Sequence, residues 1–347
     1  MLRQSYLYLG EVSSQSRTYR FQPSLRGTSP GFSCYLVVQI NRIPRKNKGV
    51  LTPMQASSPS FGRLFFALVF SGVGLAAASC TGDFGGQPGL VVYVVVDQLR
   101  GDLLERYDTL FTGGFRRLHD DGFRFLSATH DHAKTATGPG HATLSTGLFP
   151  ARSGIVGNDW LERTPDGWRS VYSVEDTLTH ILGLPALDGR SPANLLRGGL
   201  ADWIAEADSG AIVVSASRKD RAAITMAGKT RGHTYWIAEN EAHWVTSSFY
   251  RTSYPDWVDR INLLQMPVIF GDSIWEQTVP VPVRKASRAD SSAYEGDGVH
   301  TFFPHKFVNE VQDTAQRGAL NRWGYGLTAP DVALGDFAKE AVRALGM

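Results

Sequence analysis

Leu90–Val96 reads LVVYVVV and runs directly into Asp97. A continuous β-branched run of this length, with Gly89 before it and an acidic residue after it, suits a strand buried on both faces in a parallel sheet. Helical apolar spacing follows over Asp102–Leu110 and Phe115–Asp121, with Gly113 and Gly114 between them and Gly122 as a C-terminal stop. Strand followed by helix returns further on. Leu195–Ala207 reads as an amphipathic helix closed by Ser209 and Gly210, and Ala211–Ser215 reads as a second short buried strand. The alternation predicts an α/β fold, an αβα sandwich around a central, mostly parallel sheet. Two aromatic-rich segments between Tyr235 and Phe249 flank Glu239, Asn240 and Glu241, which predicts a hairpin outside the parallel core. Met266–Ala319 carries prolines and no sustained period.

Upstream of this body the composition changes. The first 80 residues hold nine Lys/Arg and a single acid, Glu11. Removing these from the chain's 35 basic and 33 acidic residues leaves 26 and 32, so the body is near −6 and lacks the basic footprint of a nucleic-acid-binding protein. With 42% hydrophobic and 20% charged residues the chain has the composition of an ordinary globular protein. Residues 61–80, FGRLFFALVFSGVGLAAASC, place one positive charge before a glycine-broken apolar run and then small residues, the pattern of a bacterial export signal. The run is shorter than the roughly 20 apolar residues of a membrane-spanning helix. Because such a signal belongs near a chain start, Met54 is the better start. Residues 1–53 are then a doubtful extension, 54–80 the signal, 81–89 (TGDFGGQPG) a flexible linker and 90–347 the folded body. Cys34 and Cys80 support no disulfide framework. Small residues ahead of Cys80 match a lipoprotein signal, which makes Cys80 the expected lipidation site, and the protein is expected to be exported to the periplasm.

Two features carry candidate chemistry. Asp97 stands at the carboxyl end of a strand, where open α/β sheets bind ligands. Residues 133–147, AKTATGPGHATLSTG, place hydroxyls ahead of glycines and a helix. The free N–H groups and dipole at such a helix start stabilise an alkoxide or phosphoryl oxygens, although a hydroxyl there is by itself usually only a cap.

The order and spacing of VVVDQLR (94–100), T-x-x-x-H (137–141) and GIVGNDW (154–160) resemble the alkaline phosphatase superfamily, in particular its threonine-nucleophile members related to type I phosphodiesterase/nucleotide pyrophosphatases. The resemblance runs from Leu90 to Met347. It implies that Asp97 binds zinc and that Thr137, four residues before His141, is the nucleophile on the same metal. Thr135 falls two residues out of register. It also implies that Asn158 holds a phosphoryl oxygen and that Lys219 and Arg221, in SRKDRAAI (217–224), are the basic pair of the monoesterase branch. The chemistry agrees with these residue types. A divalent metal lowers the pKa of a threonine hydroxyl enough to make it a nucleophile, and a dianionic monoester rewards extra positive charge.

The implied function is zinc-dependent hydrolysis of small-molecule phosphate monoesters through a phosphothreonine, with two zinc ions and two displacements. The alternatives are a phosphodiesterase/nucleotide pyrophosphatase of the same superfamily, or a remnant without catalysis. No nucleic acid partner is expected, and membrane contact only through Cys80. His130, His132 and His141 stand in the wrong order for the family's downstream Asp-His ligand pair, so a supporting role near the nucleophile is expected of them. His300 and His305 lack its D-x-x-x-H spacing and are unassigned. The ending, TAPDVALGDFAKEAVRALGM (328–347), resembles the helix shortly before that motif, so the fold is expected to be incomplete at the C-terminus and the chain as given to be inactive even with zinc.

Overall fold

A computed structural model describes residues 89–270, 274–285, 289–291, 301–306, 324–325 and 328–347, together with the backbone of 7–8 and 36–42. In chain order the elements are β1 (Leu7–Tyr8), β2 (Leu36–Arg42), β3 (Leu90–Val96), α1 (Gly101–Arg106), α2 (Gly114–Asp121), β4 (Phe123–Arg124), α3 (Thr137–Thr146), α4 (Pro150–Ser153), β5 (Asp159–Thr164), β6 (Gly167–Tyr172), β7 (Glu175–His180) and β8 (Asp188–Arg190). These are followed by α5 (Leu200–Ala207), β9 (Val214–Ser217), α6 (Asp220–Ala227), β10 (His233–Ala238), β11 (His243–Val245), α7 (Asp256–Leu264), α8 (Met266–Ile269), β12 (Ile274–Trp275), α9 (Val281–Lys285), β13 (His305–Lys306) and α10 (Ala329–Leu345). None of the described helices is long and apolar enough to cross a membrane. Residues 54–80, with the expected signal and Cys80, lie outside the described residues.

The central sheet has the order β11-β10-β9-β2-β3. β10 pairs parallel to β9, while β2 pairs antiparallel to both β9 and β3, so β3, β9 and β10 point the same way. Residue alternation then assigns the two faces. Leu90 and Val92 of β3, Val214 and Ala216 of β9, and Tyr235 and Ile237 of β10 face one apolar layer. That layer is built from α7, α8 and α10. The intervening residues Tyr93 and Val95 of β3 face Ala222 and Met226 of α6. Trp236 and Ala238 of β10 likewise meet Ala223 and Ile224 of α6. Helices therefore pack on both faces, although β3 is the outer strand of the sheet and, against the sequence reading, is only half-buried except at Val95.

The sequence reading and the fold differ at four further places. β9 begins at Val214, three residues later than the apolar pattern suggests, and runs on to Ser217; the pattern stops short because the face toward α6 is polar, with Ser215 and Ser217 fully buried there and Ser215 Oγ donating to the Ala223 carbonyl at 2.7 Å. α5 begins at Leu200 and not Leu195, since Gly198 and Gly199 interrupt the period and Asp202 accepts the Gly199 N–H at 2.7 Å. The Tyr235–Phe249 segment does form a hairpin, with Trp236 opposite Val245, but its first strand also belongs to the parallel core. Last, the segment 1–53 supplies β2, which lies between β3 and β9 with Val38 opposite both Val94 and Ala216.

Candidate active site

The carboxyl ends of β3 and β9 lie on one side of the sheet, because the two strands run the same way. Asp97 follows the first in a tight turn, and Arg218, Lys219 and Arg221 follow the second. α3 arrives from the same side. It packs on α6 through Leu144, and the Tyr93 hydroxyl of β3 donates to the Leu144 carbonyl at 3.4 Å.

Thr137 is the first residue of α3, and its N-cap is Ala136, whose side chain offers no capping oxygen. The ordinary explanation for a hydroxyl at a helix start therefore does not apply. Capping falls instead to Asn158, whose Oδ1 accepts the Gly138 N–H at 2.8 Å from 20 residues away. This arrangement needs glycine at 138. A Cβ there would lie 3.1 Å from the Gly157 carbonyl oxygen and 3.3 Å from Asn158 Oδ1. With its oxygen engaged, the Asn158 amide keeps its NH2 as a donor.

The Thr137 hydroxyl, on a residue only 8% exposed, turns toward β3 and donates to Asp97 Oδ2 at 2.9 Å. A carboxylate is an oxygen ligand of the kind zinc takes, and a hydroxyl beside it is placed where a metal on that carboxylate would activate it. Among the described residues no group of three or more His, Cys, Asp or Glu completes such a site.

His141 lies one turn into α3, and its Nδ1 meets the Thr137 carbonyl oxygen at 2.8 Å. Burial pulls its pKa below the usual histidine value, so the ring is neutral, with Nδ1–H as the donor. Its place is inside the helix, where it braces the Thr137 backbone. His130 and His132 sit in the preceding loop with ring centroids 5.1 Å apart, and His132 packs on Phe149. Burial lowers the pKa of His130. His305 is buried in β13 against Trp275 and Phe303, and His300 lies outside the described residues.

Lys219 is the N-cap of α6, half-buried between Arg218 and Arg221. Burial, reinforced by the two guanidiniums, lowers its pKa to about 8, while Asp97 and Asp220 oppose the shift. Arg221 is anchored through Nη1, which donates to the Tyr172 hydroxyl at 2.8 Å. A cavity of about 430 Å³ opens beside it, bounded among the described residues by Tyr172, Arg190, Trp236 and Tyr325.

The family model of type I phosphodiesterase / nucleotide pyrophosphatase matches residues 91–328, most of the chain. The chain belongs to this family. Within it, and within the wider alkaline phosphatase superfamily, the chain is 33% identical over 264 residues to alkaline phosphatase PhoV of Synechococcus elongatus, a match covering 74% of this chain and 46% of that protein. It is 32% identical over 214 residues to alkaline phosphatase PafA of Elizabethkingia meningoseptica, covering 60% of this chain and 39% of the relative. The crystal structure of wild-type PafA superposes with a TM-score of 0.60 at 26% identity over 72% of this chain and 48% of that one. A PafA mutant with four substitutions gives 0.62 over 73% and 49%. The chain thus spans about half the length of the family members it matches.

Two residues at the site carry no signal in the linear pattern. Tyr172 ends β6, 48 residues before Asp220, and only folding brings them together. Asp220 sits between the two expected basic residues and reads in sequence as part of a solvated charge run.

Proposed function

We propose that the protein hydrolyses phosphoesters, and specifically small-molecule phosphate monoesters, by way of a phosphothreonine at Thr137. The observation that carries this reading is the 2.9 Å contact of the Thr137 hydroxyl with Asp97, made by a helix whose N-terminus another residue caps. The phosphatase names of the relatives support the reaction class.

In this reading Asp97 and Thr137 would hold one of two zinc ions. When bound, zinc supplies the positive charge that lowers the hydroxyl pKa and offsets charge on the leaving oxygen. The chain's own residues do the rest. The Thr137 hydroxyl gives its proton to solvent, its oxygen attacks phosphorus as the bond to the leaving alkoxide breaks, the alkoxide takes a proton from water, and hydroxide then displaces the Thr137 oxygen, which is reprotonated as phosphate leaves. The α3 dipole and the Asn158 NH2 stabilise the phosphoryl oxygens. Lys219 and Arg221 meet the second negative charge that distinguishes a monoester from a diester. Export through residues 54–80 and lipidation at Cys80 belong to the same proposal.

The test is hydrolysis of an aryl phosphate monoester against the matching diester, with zinc, by the protein expressed with any coding sequence that follows codon 347. The monoester is expected to be faster by at least about a hundredfold, since an added ionic contact in a desolvated site contributes about 2–3 kcal/mol. Faster diester turnover would assign the site to the phosphodiesterase activity in the family's name. The same assay reads Lys219. Its lowered pKa makes the amine neutral above about 8, so monoester KM is expected to rise as pH passes that value, and Lys219→Met to lose the rise.

A further inference from the structure

We infer that Tyr172 and Asp220 are positioning residues for Arg221, and that through it they set the preference for dianionic over singly charged phosphoesters. This rests on the monoesterase reading proposed above and extends it to residues that touch no substrate.

The geometry is a closed relay. Arg221 Nη1 donates to Tyr172 Oη at 2.8 Å, and Tyr172 Oη donates in turn to Asp220 Oδ1 at 2.6 Å. Asp220 is itself fixed from two further directions. Its Oδ1 accepts the Arg221 backbone N–H at 2.6 Å, and its Oδ2 accepts Arg190 Nε from β8 at 2.8 Å. The three charged side chains are 14–20% exposed, so solvent screens the relay little. A tyrosine hydroxyl has one proton to give. Burial, followed by the charge of Asp220, pushes the pKa of Tyr172 up, so the proton stays on the ring oxygen and is committed to Asp220. The oxygen lone pair is then the part that faces Arg221, and the direction of the chain of hydrogen bonds is fixed.

The Tyr172 ring also lies under both guanidiniums, with Arg190 Cζ 4.8 Å and Arg221 Cζ 5.9 Å from its centroid. Arg221 is thus held through Nη1 and by ring contact, and its guanidinium carries further N–H donors besides the one given to Tyr172. An arginine fixed by one nitrogen at the wall of a cavity presents its other donors to an anionic oxygen in a set orientation. Asp220 bonds directly to Arg190 at 2.8 Å and approaches Arg221 Nη1 only to 3.9 Å, so its negative charge falls mainly on Arg190. A carboxylate between two cations of a basic site would otherwise work against an anionic ligand.

With zinc, and in the protein expressed with any coding sequence that follows codon 347, the experiment measures kcat/KM for an aryl phosphate monoester and its diester in wild type, Tyr172→Phe, Asp220→Asn and Arg221→Ala, with thermal midpoints as a control on folding. Tyr172→Phe keeps the ring and deletes only the hydroxyl. It is expected to lower monoester kcat/KM about tenfold and to leave the diester within about twofold, so that the ratio of the two falls. Asp220→Asn is expected to lower the ratio in the same direction. A loss of stability alone would lower both activities together and leave the ratio unchanged. If Arg221→Ala lowers the ratio while Tyr172→Phe and Asp220→Asn keep the wild-type value, the positioning role is wrong and the monoesterase reading stands. If Arg221→Ala itself keeps the wild-type ratio, or wild type hydrolyses neither ester, the monoesterase reading falls and the positioning role with it.

Discussion

In the protein expressed with any coding sequence that follows codon 347 and supplied with zinc, Thr137→Ala is expected to reduce phosphomonoester turnover by at least about a thousandfold, while Thr137→Ser retains measurable activity. The asymmetry follows from what the side chain does. Its hydroxyl is not a helix cap, since Asn158 satisfies the Gly138 N–H, so removing it costs α3 little. What is lost is the oxygen 2.9 Å from Asp97. Serine restores that oxygen and loses only a methyl group. A thermal midpoint close to wild type in Thr137→Ala would separate loss of chemistry from loss of fold, and an alanine variant with near-wild-type turnover would remove Thr137 from the mechanism.

The second large effect is on stability. Phe337 of α10 is fully buried, and its ring meets those of Trp244, Trp257 and Tyr235 at centroid distances of 4.2, 5.0 and 5.3 Å. These rings, with Leu334 and Ala341, join α10 to one face of the sheet. Phe337→Ala leaves a cavity among large rings that cannot close over it, and is expected to cost about 3 to 5 kcal/mol. Equilibrium denaturation should show the midpoint shift, with Phe337→Leu recovering much of it. A shift below about 1 kcal/mol would mean that α10 is not part of the core. Because this helix covers the face opposite α3 and α6, its loosening should lower activity only through the fraction folded.

How far the sequence predicts these features depends on how local their causes are. An unbroken β-branched run marks a strand wherever it lies in a sheet, so β3 and the placement of Asp97 are readable in LVVYVVV alone, while its outer position and half-burial are not. β9 is harder to read, because Ser215 and Ser217 are buried polar residues whose partner lies on α6. β2 was missed for a different reason. LVVQINR lies in a basic, Ser/Arg-rich surrounding, and only its pairing with β3 and β9 identifies it.

The site shows the same division. Asp97 and Thr137 were nameable as candidates from spacing and resemblance, and folding brings them together across 40 residues. That Asn158 relieves Thr137 of capping depends on a contact between separate elements, as does the relay through Tyr172 and Asp220. Neither follows from periodicity or from short-range spacing. His141 illustrates the reverse case. Its spacing of four from Thr137 marks the motif, and the structure explains that spacing as one helical turn ending on the Thr137 carbonyl.

The measurement closest to the central claim is acid-quenched peptide mass spectrometry of the protein during turnover of an aryl phosphate monoester with zinc, again expressed with any sequence following codon 347. The account predicts a peptide heavier by one HPO3, with the group localised to Thr137 and absent from Thr137→Ala. Turnover with the group on another residue, or with no phosphorylated residue under conditions that trap the intermediate, would contradict it.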